Sequence, residues 1–303
     1  MSSEPAPAYS DSDSEDNDDH DYTAESEQDE NFAKMPTFEP SDHRTTFDAR
    51  AYLNDFYLAP DAEGAMNTIV FFLPVMAARI GVVNPGGALL DFGCGPTVHV
   101  AAALRRHFER VFLADFNADN REEICRWWKN DTSKPDCAPF DWSAVLNWVR
   151  LIEANDLEVD DLIKKTRAKI RGVLDCDALK SPSIIGVHKL DDDVTVPEQF
   201  DVVASVFCLE YATTTKQQYF EAVRNVGALV RPSGWLLLGG VLHERSYWTN
   251  GCRYRCHYLR RRHVHDALRA AGFPTNQRAE GGANFKYVER EEVFLLVVQK
   301  RNC

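Results

Sequence analysis

The stretch LLDFGCGPTVHV, residues 89–100, decides the fold class of this chain. Its apolar start predicts a buried strand, and Gly93 and Gly95 predict a sharp bend directly after it. Glycine is the usual residue where the backbone turns tightly or lets a bound group come close to the main chain. Residues 98–108 then have helical apolar spacing. The stretch therefore indicates a strand, a glycine bend and a helix.

The same alternation of strands and helices continues along the chain. Strands are predicted at 110–116, around 172–179, and at 199–212, 231–244 and 291–301. Helices are predicted at 47–60, 65–82, 120–130, 140–153, 160–174, 216–230 and 263–274, with Pro74 kinking or ending the second. This order predicts an α/β fold with a doubly wound, mostly parallel sheet. We expect one domain over residues 39–303.

The net charge of −13 comes from the beginning of the chain. Twelve of the 47 acidic residues lie within residues 1–30, which contain no Lys or Arg, and the other 35 nearly balance the 34 basic residues. Residues 1–38 have too few apolar side chains to offset the entropy of ordering, so we expect a disordered acidic tail. The nearly neutral remainder shows no basic footprint for nucleic acid.

The sequence has features expected of a cytosolic protein. The first residues lack the basic start and apolar stretch of a signal peptide, and no apolar run of about 18 residues occurs, so we expect neither a signal peptide nor a membrane span. Its eight cysteines are scattered singly, which favours reduced thiols. Cys252, Cys256 and His257 lack a second ligand pair nearby, and we interpret them as structural residues rather than a metal site. We expect a monomer.

Two features at neighbouring strand ends predict a nucleoside site. Gly93 and Gly95 follow the first strand of the sheet, and Asp115 ends the second, where a carboxylate can accept from both hydroxyls of a ribose. NAD and S-adenosylmethionine both contain adenosine. A dinucleotide fingerprint needs a third glycine where this chain has Val98, and Pro96 follows the second glycine directly. The bend therefore favours S-adenosylmethionine as cofactor, with an NAD-dependent oxidoreductase as the alternative.

The chain from about residue 44 to its end resembles the small-amine N-methyltransferases of nicotinamide, phenylethanolamine and indolethylamine. The stretches that carry the resemblance are FDARAYLNDFY, LLDFGCGPTVH, ADFNADNREEICRWWK, FDWS, VLDCD, VASVFCLE, LVRPSGWLLLGGVLHERSYW and VFLLVVQK. They occur in the family's order and spacing. The resemblance implies a Rossmann-like class I methyltransferase fold and methyl transfer from S-adenosylmethionine to the nitrogen of a small amine.

The resemblance also implies a set of cofactor-binding residues. Carried over position by position, they are Tyr52, Tyr57, Gly93, Gly95, Thr97, His99, Asp115, Asn120, Asp177, Ala178 and Val206. The two tyrosines would cover the methionine end of the cofactor, and Asp115 and Asn120 would contact its ribose and adenosine. The family usually has tyrosine where His99 stands. From the sequence alone, Tyr52 could instead be a core residue and Asn120 a helix cap.

For the substrate, the resemblance implies two catalytic glutamates, Glu210 and Glu244, with Tyr247 and Glu289 as further substrate contacts. A carboxylate near the reacting nitrogen would stabilise the developing positive charge.

The identity of the amine stays open. This chain has Gly240 where the nicotinamide enzyme carries aspartate, and its acids are Glu210 and Glu244 instead. These two glutamates favour a basic aliphatic amine. Departures at Arg44, His243 and Arg245 keep nicotinamide or another pyridine as an alternative. A catalytically inactive binding protein of the same fold is a further alternative.

Overall fold

The strand that ends before Gly93 lies inside an eight-stranded sheet in a computed structural model, which describes residues 36–59, 64–80, 87–133, 138–154, 156–275 and 285–302. The described strands are β1 Thr37–Phe38, β2 Ala88–Phe92, β3 Arg110–Asp115, β4 Ile170–Cys176, β5 Ile184–Leu190, β6 Phe200–Val206, β7 Val230–Val241, β8 Ser246–Thr249, β9 Cys252–Arg255, β10 Phe285–Arg290 and β11 Val293–Gln299. The described helices are α1 His43–Thr46, α2 Ala49–Tyr57, α3 Gly64–Ile80, α4 His99–Leu104, α5 Ala118–Lys129, α6 Ser143–Ile152, α7 Val159–Arg167, α8 Lys216–Ala228 and α9 Arg261–Ala270.

The large sheet has a parallel centre with antiparallel edges. Its strand order is β10-β11-β7-β6-β2-β3-β4-β5. Strands β7, β6, β2, β3 and β4 pair in parallel, whereas β5, β11 and β10 pair antiparallel. The chain order reverses at β2, which lies between β3 and β6. The carboxyl ends of the parallel strands therefore meet where open α/β sheets bind their ligands.

Apolar side chains cover both faces of the sheet, and this arrangement confirms the doubly wound α/β fold. Alternate residues of β2 point to opposite faces, so Leu89 joins one apolar cluster while Leu90 and Phe92 join the other. Helices α2 to α7 pack on the first face, and α8 and α9 pack on the second. All five residues of β2 are buried, as expected for a central parallel strand.

A second, small sheet has the strand order β1-β9-β8. Strands β8 and β9 come between β7 and α9 in the chain, and β1 comes from the beginning of the described chain. Thr37 and Phe38 pair with Arg253 and Tyr254. The backbone of Thr37 and Phe38, at the end of the predicted tail, is thus paired with β9, and the tail boundary at residue 38 stays a prediction. Residues 1–35 lie outside the described residues, and their disorder stays a prediction.

Some boundaries differ from the sequence-based expectation. Helix α3 continues through Pro74 to Ile80, so the proline does not end it. The helix expected over 160–174 ends at Arg167, and its last residues belong to β4. Among the described residues, no helix has both the length and the apolar character needed to cross a membrane.

Candidate active site

The glycine bend places the backbone of residues 93–95 against the ends of β2 and β3. Gly93 and Gly95 have left-handed φ values of +69° and +59°, which glycine adopts without strain. A Cβ on Gly93 would lie 2.0 Å from Cys208 Sγ, so only glycine fits there. The N–H groups of Gly93 and Cys94 donate to the Ala114 carbonyl at 2.8 and 3.0 Å. The loop is thus fixed to the strand that ends in Asp115.

Asp115 organises the end of β3. Its Oδ2 accepts from the Gly95 N–H at 2.7 Å, and its Oδ1 accepts from the Asn117 N–H and from Asn120 Nδ2, both at 2.9 Å. Burial raises the pKa of Asp115, and these hydrogen bonds act in the opposite direction. Oδ2 keeps acceptor capacity for a further donor, such as a ribose hydroxyl.

A cavity of about 640 Å³ opens at these strand ends. It brings together twelve of the fifteen predicted site residues. These are the eleven predicted cofactor residues and Tyr247: Tyr52, Tyr57, Gly93, Gly95, Thr97, His99, Asp115, Asn120, Asp177, Ala178, Val206 and Tyr247. They come from helices α2, α4 and α5, from the loops after β2 and β4, and from strands β3, β6 and β8. Their role in cofactor binding stays a prediction.

Two cavity residues carry polar atoms that lack a partner among the described residues. His99 is 4% exposed, both of its ring nitrogens are unpaired, and burial lowers its pKa to about 4. Neutral imidazole offers one donor and one acceptor. Asn120 uses its amide nitrogen on Asp115 but leaves its buried Oδ1 unpaired. The cap of α5 is Asn117, so Asn120 is not the helix cap considered from the sequence. Unpaired buried polar atoms at a cavity wall fit a polar ligand.

Glu210 is buried behind the cavity wall rather than in it. It is 1% exposed, and its Oε1 accepts from the Val241 N–H at 3.0 Å, while Val241 and Tyr211 line the cavity. Burial raises the pKa of Glu210 to about 8, against the lowering effect of its backbone hydrogen bonds. The carboxyl group is therefore mostly protonated at pH 7. A cation bound beyond Val241 would favour the ionised form.

Glu210 fills the space that a side chain at position 240 would need. A Cβ on Gly240 would lie 2.5 Å from Glu210 Oε1. The carboxyl group thus reaches this part of β7 from the loop after β6. Any larger residue at position 240 would force Glu210 to move.

The structure places Glu244 outside the cavity lining, and its role facing the amine stays a prediction. Glu244 is an exposed residue in the turn between β7 and β8. His243, directly before it, has a left-handed φ of +62°, and its N–H donates to the Leu259 carbonyl. Partial burial and then Glu292 raise the pKa of Glu244. The turn presents the carboxyl group outside the cavity lining.

Glu289 also lies outside the cavity. It belongs to the edge strand β10, where Arg261 donates to both of its carboxyl oxygens at 2.9 Å and the Tyr287 hydroxyl donates to one of them. Partial burial would raise the pKa of Glu289, but the hydrogen bonds outweigh it and the pKa is lowered. Glu289 is thus bonded to its own strand and to α9, and its role as a substrate contact stays a prediction.

Aromatic side chains that the sequence did not single out form one part of the cavity wall. His43, Phe47 and Tyr211 line it together with Tyr247. The ring centroids of Tyr211 and Tyr247 are 4.6 Å apart in an edge-on arrangement. Arg44, noted as a departure from the family, instead lies over the Phe116 ring at 3.8 Å. Its neighbour His43 is the residue that reaches the cavity, and no local pattern marks it.

Cys252 and Cys256 form no disulfide bond, and His257, the residue after Cys256, is buried. Within the part of the chain that the structure describes, no three His, Cys, Asp or Glu side chains come together in a geometry that could hold a metal ion.

Comparison with known proteins identifies the family. A family model described as the NNMT/PNMT/TEMT family matches residues 35–301. The chain belongs to this family. The resemblance inferred from the motifs is therefore confirmed over nearly the whole described chain.

Several curated members of the family are similar to this chain. A nicotinamide N-methyltransferase of Caenorhabditis elegans is 36% identical over 86% of this chain and 91% of its own length. An indolethylamine N-methyltransferase of Oryctolagus cuniculus is 29% identical over 78% and 86%. A phenylethanolamine N-methyltransferase of Mus musculus is 29% identical over 76% of each chain.

A solved structure shares the fold. An S-adenosylmethionine-dependent methyltransferase from Clostridium acetobutylicum superimposes with a TM-score of 0.50 at 8% identity, over 84% of this chain and 99% of its own. This similarity and the parallel-centred sheet confirm the class I methyltransferase fold expected from the sequence.

Proposed function

We propose that this protein is an S-adenosylmethionine-dependent N-methyltransferase that acts on a small amine or pyridine. The observation that carries the proposal is the cavity at the strand ends, which collects the glycine loop, Asp115 and the two N-terminal tyrosines in a member of the N-methyltransferase family. The proposal makes Glu210 the acid nearest the reacting nitrogen and removes Glu244 from that role.

The cavity residues fit the cofactor. Asp115 supplies an acceptor for ribose hydroxyls, and the unpaired Asn120 Oδ1 supplies another acceptor close by. His99 supplies a donor and an acceptor for the amino-acid end. Gly93 forms the bend at the cavity with a left-handed φ, and it must be glycine because Cys208 fills the space that a Cβ would need. Tyr52 and Tyr57 come from α2 and line the same cavity, where they would cover the methionine end of the cofactor.

When bound, S-adenosylmethionine supplies a methyl group on a sulfonium, and transfer forms a nitrogen–carbon bond while the carbon–sulfur electron pair stays on sulfur. The positive charge therefore moves to the substrate nitrogen, whether the substrate is an amine or a pyridine.

The protein's own residues can assist this charge movement in three ways. The aromatic wall of Phe47, Tyr211 and Tyr247 attracts a cation through ring faces and excludes water. Glu210, behind Val241, ionises more readily as a cation forms nearby. The fixed cavity walls align the nucleophile, and alignment alone can lower the barrier by several kcal/mol, roughly 7–11 in model systems.

The decisive experiment is incubation of the protein with isotopically labelled S-adenosylmethionine and a panel of primary amines and pyridines, followed by mass spectrometry of the products. We expect a labelled N-methyl product from at least one panel member. A matched Asp115→Ala variant should lose this product at low cofactor concentration.

Ligand-binding measurements distinguish the proposed function from its two alternatives, an NAD-dependent oxidoreductase and a catalytically inactive binding protein. Isothermal titration should show affinity for S-adenosylhomocysteine and none for NAD, whereas affinity for NAD alone would favour the oxidoreductase. Tight binding of S-adenosylhomocysteine without turnover of any panel member would favour an inactive binding protein.

A further inference from the structure

His43 has a single proton whose position follows from its hydrogen bonds. Its Nδ1 lies 2.8 Å from the Pro40 carbonyl oxygen, and a carbonyl can only accept, so Nδ1 carries the proton. Burial lowers the pKa of His43 and outweighs the opposite effects of Pro40 and Asp42. The ring is therefore neutral at pH 7, and Nε2 is an acceptor.

The acceptor Nε2 fixes the direction of the next hydrogen bond. It lies 2.8 Å from the hydroxyl oxygen of Tyr247, so the Tyr247 O–H donates to His43. A phenol has only one hydrogen to donate. Tyr247 therefore offers lone pairs, and no proton, to any other partner. Since both residues line the cavity, the hydroxyl of Tyr247 is a ready acceptor for a ligand bound there.

Packing holds this pair in place. The Tyr254 ring contacts both members: its centroid is 4.6 Å from that of His43 in a tilted arrangement and 5.4 Å from that of Tyr247 in a stacked one. The Tyr254 hydroxyl donates to the Thr46 carbonyl at 2.9 Å. The carbonyl of His43 also accepts from the Asn117 side chain. A flip of the imidazole would break its hydrogen bonds to the Pro40 carbonyl and the Tyr247 hydroxyl.

We propose that His43 is a positioning residue that sets Tyr247 as the hydrogen-bond acceptor for an N–H on the reacting nitrogen. The proposal rests on the proposed function. An N–H becomes a stronger donor as its nitrogen gains positive charge, and charge-assisted hydrogen bonds are about twice as strong as neutral ones. The hydrogen bond from the substrate N–H to the Tyr247 hydroxyl is therefore stronger in the transition state than in the bound substrate, and this difference raises kcat. A pyridine without any N–H gains nothing from it.

The test compares benzylamine with unsubstituted pyridine in wild type, His43→Phe, His43→Gln and Tyr247→Phe. Phenylalanine keeps the ring contacts but removes both nitrogens, whereas glutamine restores a carbonyl acceptor and an amide donor. We expect His43→Phe to lower kcat for benzylamine about tenfold, with KM within about twofold, and to change the pyridine rate less than twofold. His43→Gln should recover at least half of the rate. A double variant that combines His43→Phe with Tyr247→Phe should have a benzylamine rate no lower than Tyr247→Phe alone, because the pair acts as a unit.

A second readout does not require turnover. Binding of N-methylbenzylamine in the presence of S-adenosylhomocysteine should weaken about tenfold in His43→Phe, while S-adenosylhomocysteine affinity alone stays unchanged. If the wild type methylates neither compound, the proposed function is wrong for them, and this binding comparison still decides the role of His43. Equal losses for benzylamine and pyridine, or unchanged product binding, would overturn the proposal in favour of a structural role.

Discussion

The buried carboxyl group of Glu210 predicts an unusual pH dependence of stability. Its pKa is about 8 in the folded protein, against an ordinary value of 4.5. Between pH 4.5 and pH 8 the folded state holds a proton that the unfolded state has released. The free energy of unfolding therefore falls as the pH rises through this window, with a limiting slope of about 1.4 kcal/mol per pH unit from this group.

The substitution Glu210→Gln removes this dependence while keeping the shape of the side chain and an acceptor for Val241. From pH 6 to pH 8 the two pKa values give a loss of about 2 kcal/mol in wild type that the variant should not show. We expect the stability of Glu210→Gln relative to wild type to rise by this amount. In a domain of this size, the difference corresponds to a relative shift in Tm of about 5 °C.

Urea unfolding of both proteins at pH 6 and pH 8, monitored by circular dichroism, measures this difference directly. Other titrating groups are shared, so they cancel in the comparison. Glu244→Gln is the matched control, because the same change at an exposed site should leave the wild-type pH dependence nearly intact. An identical stability difference between wild type and Glu210→Gln at both pH values would refute the reasoning and mean that Glu210 is ionised in the folded protein.

Three further predictions concern the cavity and its edges. Asp115→Ala should weaken binding of S-adenosylhomocysteine roughly ten- to a hundredfold in calorimetry, because a charge-assisted contact is lost; an unchanged dissociation constant would remove Asp115 from the site. Gly93→Ala should lower the free energy of unfolding by about 2–4 kcal/mol, since its Cβ would meet Cys208; Gly95→Ala, with its nearest neighbour 3.9 Å away, should cost only the backbone strain of about 1–2 kcal/mol. Glu244→Gln should change kcat less than twofold for every accepted substrate, and a hundredfold loss would restore its catalytic assignment.

The sequence predicted the parallel core because its signals are local. The buried run of β2, the glycine bend and the acid at the end of β3 lie within 30 residues and follow general rules for α/β sheets. The strand ends meet in any such fold, so the cofactor residues could be expected to lie together.

Other elements left weak signals. β5 is an edge strand with a mostly exposed surface, and β8 and β9 have four residues each, so their apolar patterns are too short to detect. The helix expected at 160–174 was too long because the apolar residues of β4 continue the pattern of α7. Thr37 and Phe38 pair only through contacts with a segment more than 200 residues away.

The substrate end of the site was the least predictable part. The motif placed Glu244 just after β7, where the structure has it. The motif did not show that the turn containing Glu244 lies outside the cavity lining. His43 lines the cavity and is hydrogen-bonded to Tyr247, 204 positions later in the chain, and no spacing rule connects two such residues. Side-chain direction at loops depends on tertiary contacts, which local sequence does not determine.

The contact between Glu210 and Gly240 constrains how this pocket can change during evolution. Because a Cβ at position 240 would meet the Glu210 carboxyl group, an acid can occupy this space from the loop after β6 or from β7, but not from both. A lineage that moves the acid from position 210 to position 240 must pass through an intermediate that either has no acid or carries two in collision. The two positions should therefore covary among descendants, with a small residue at one accompanying a carboxylate at the other.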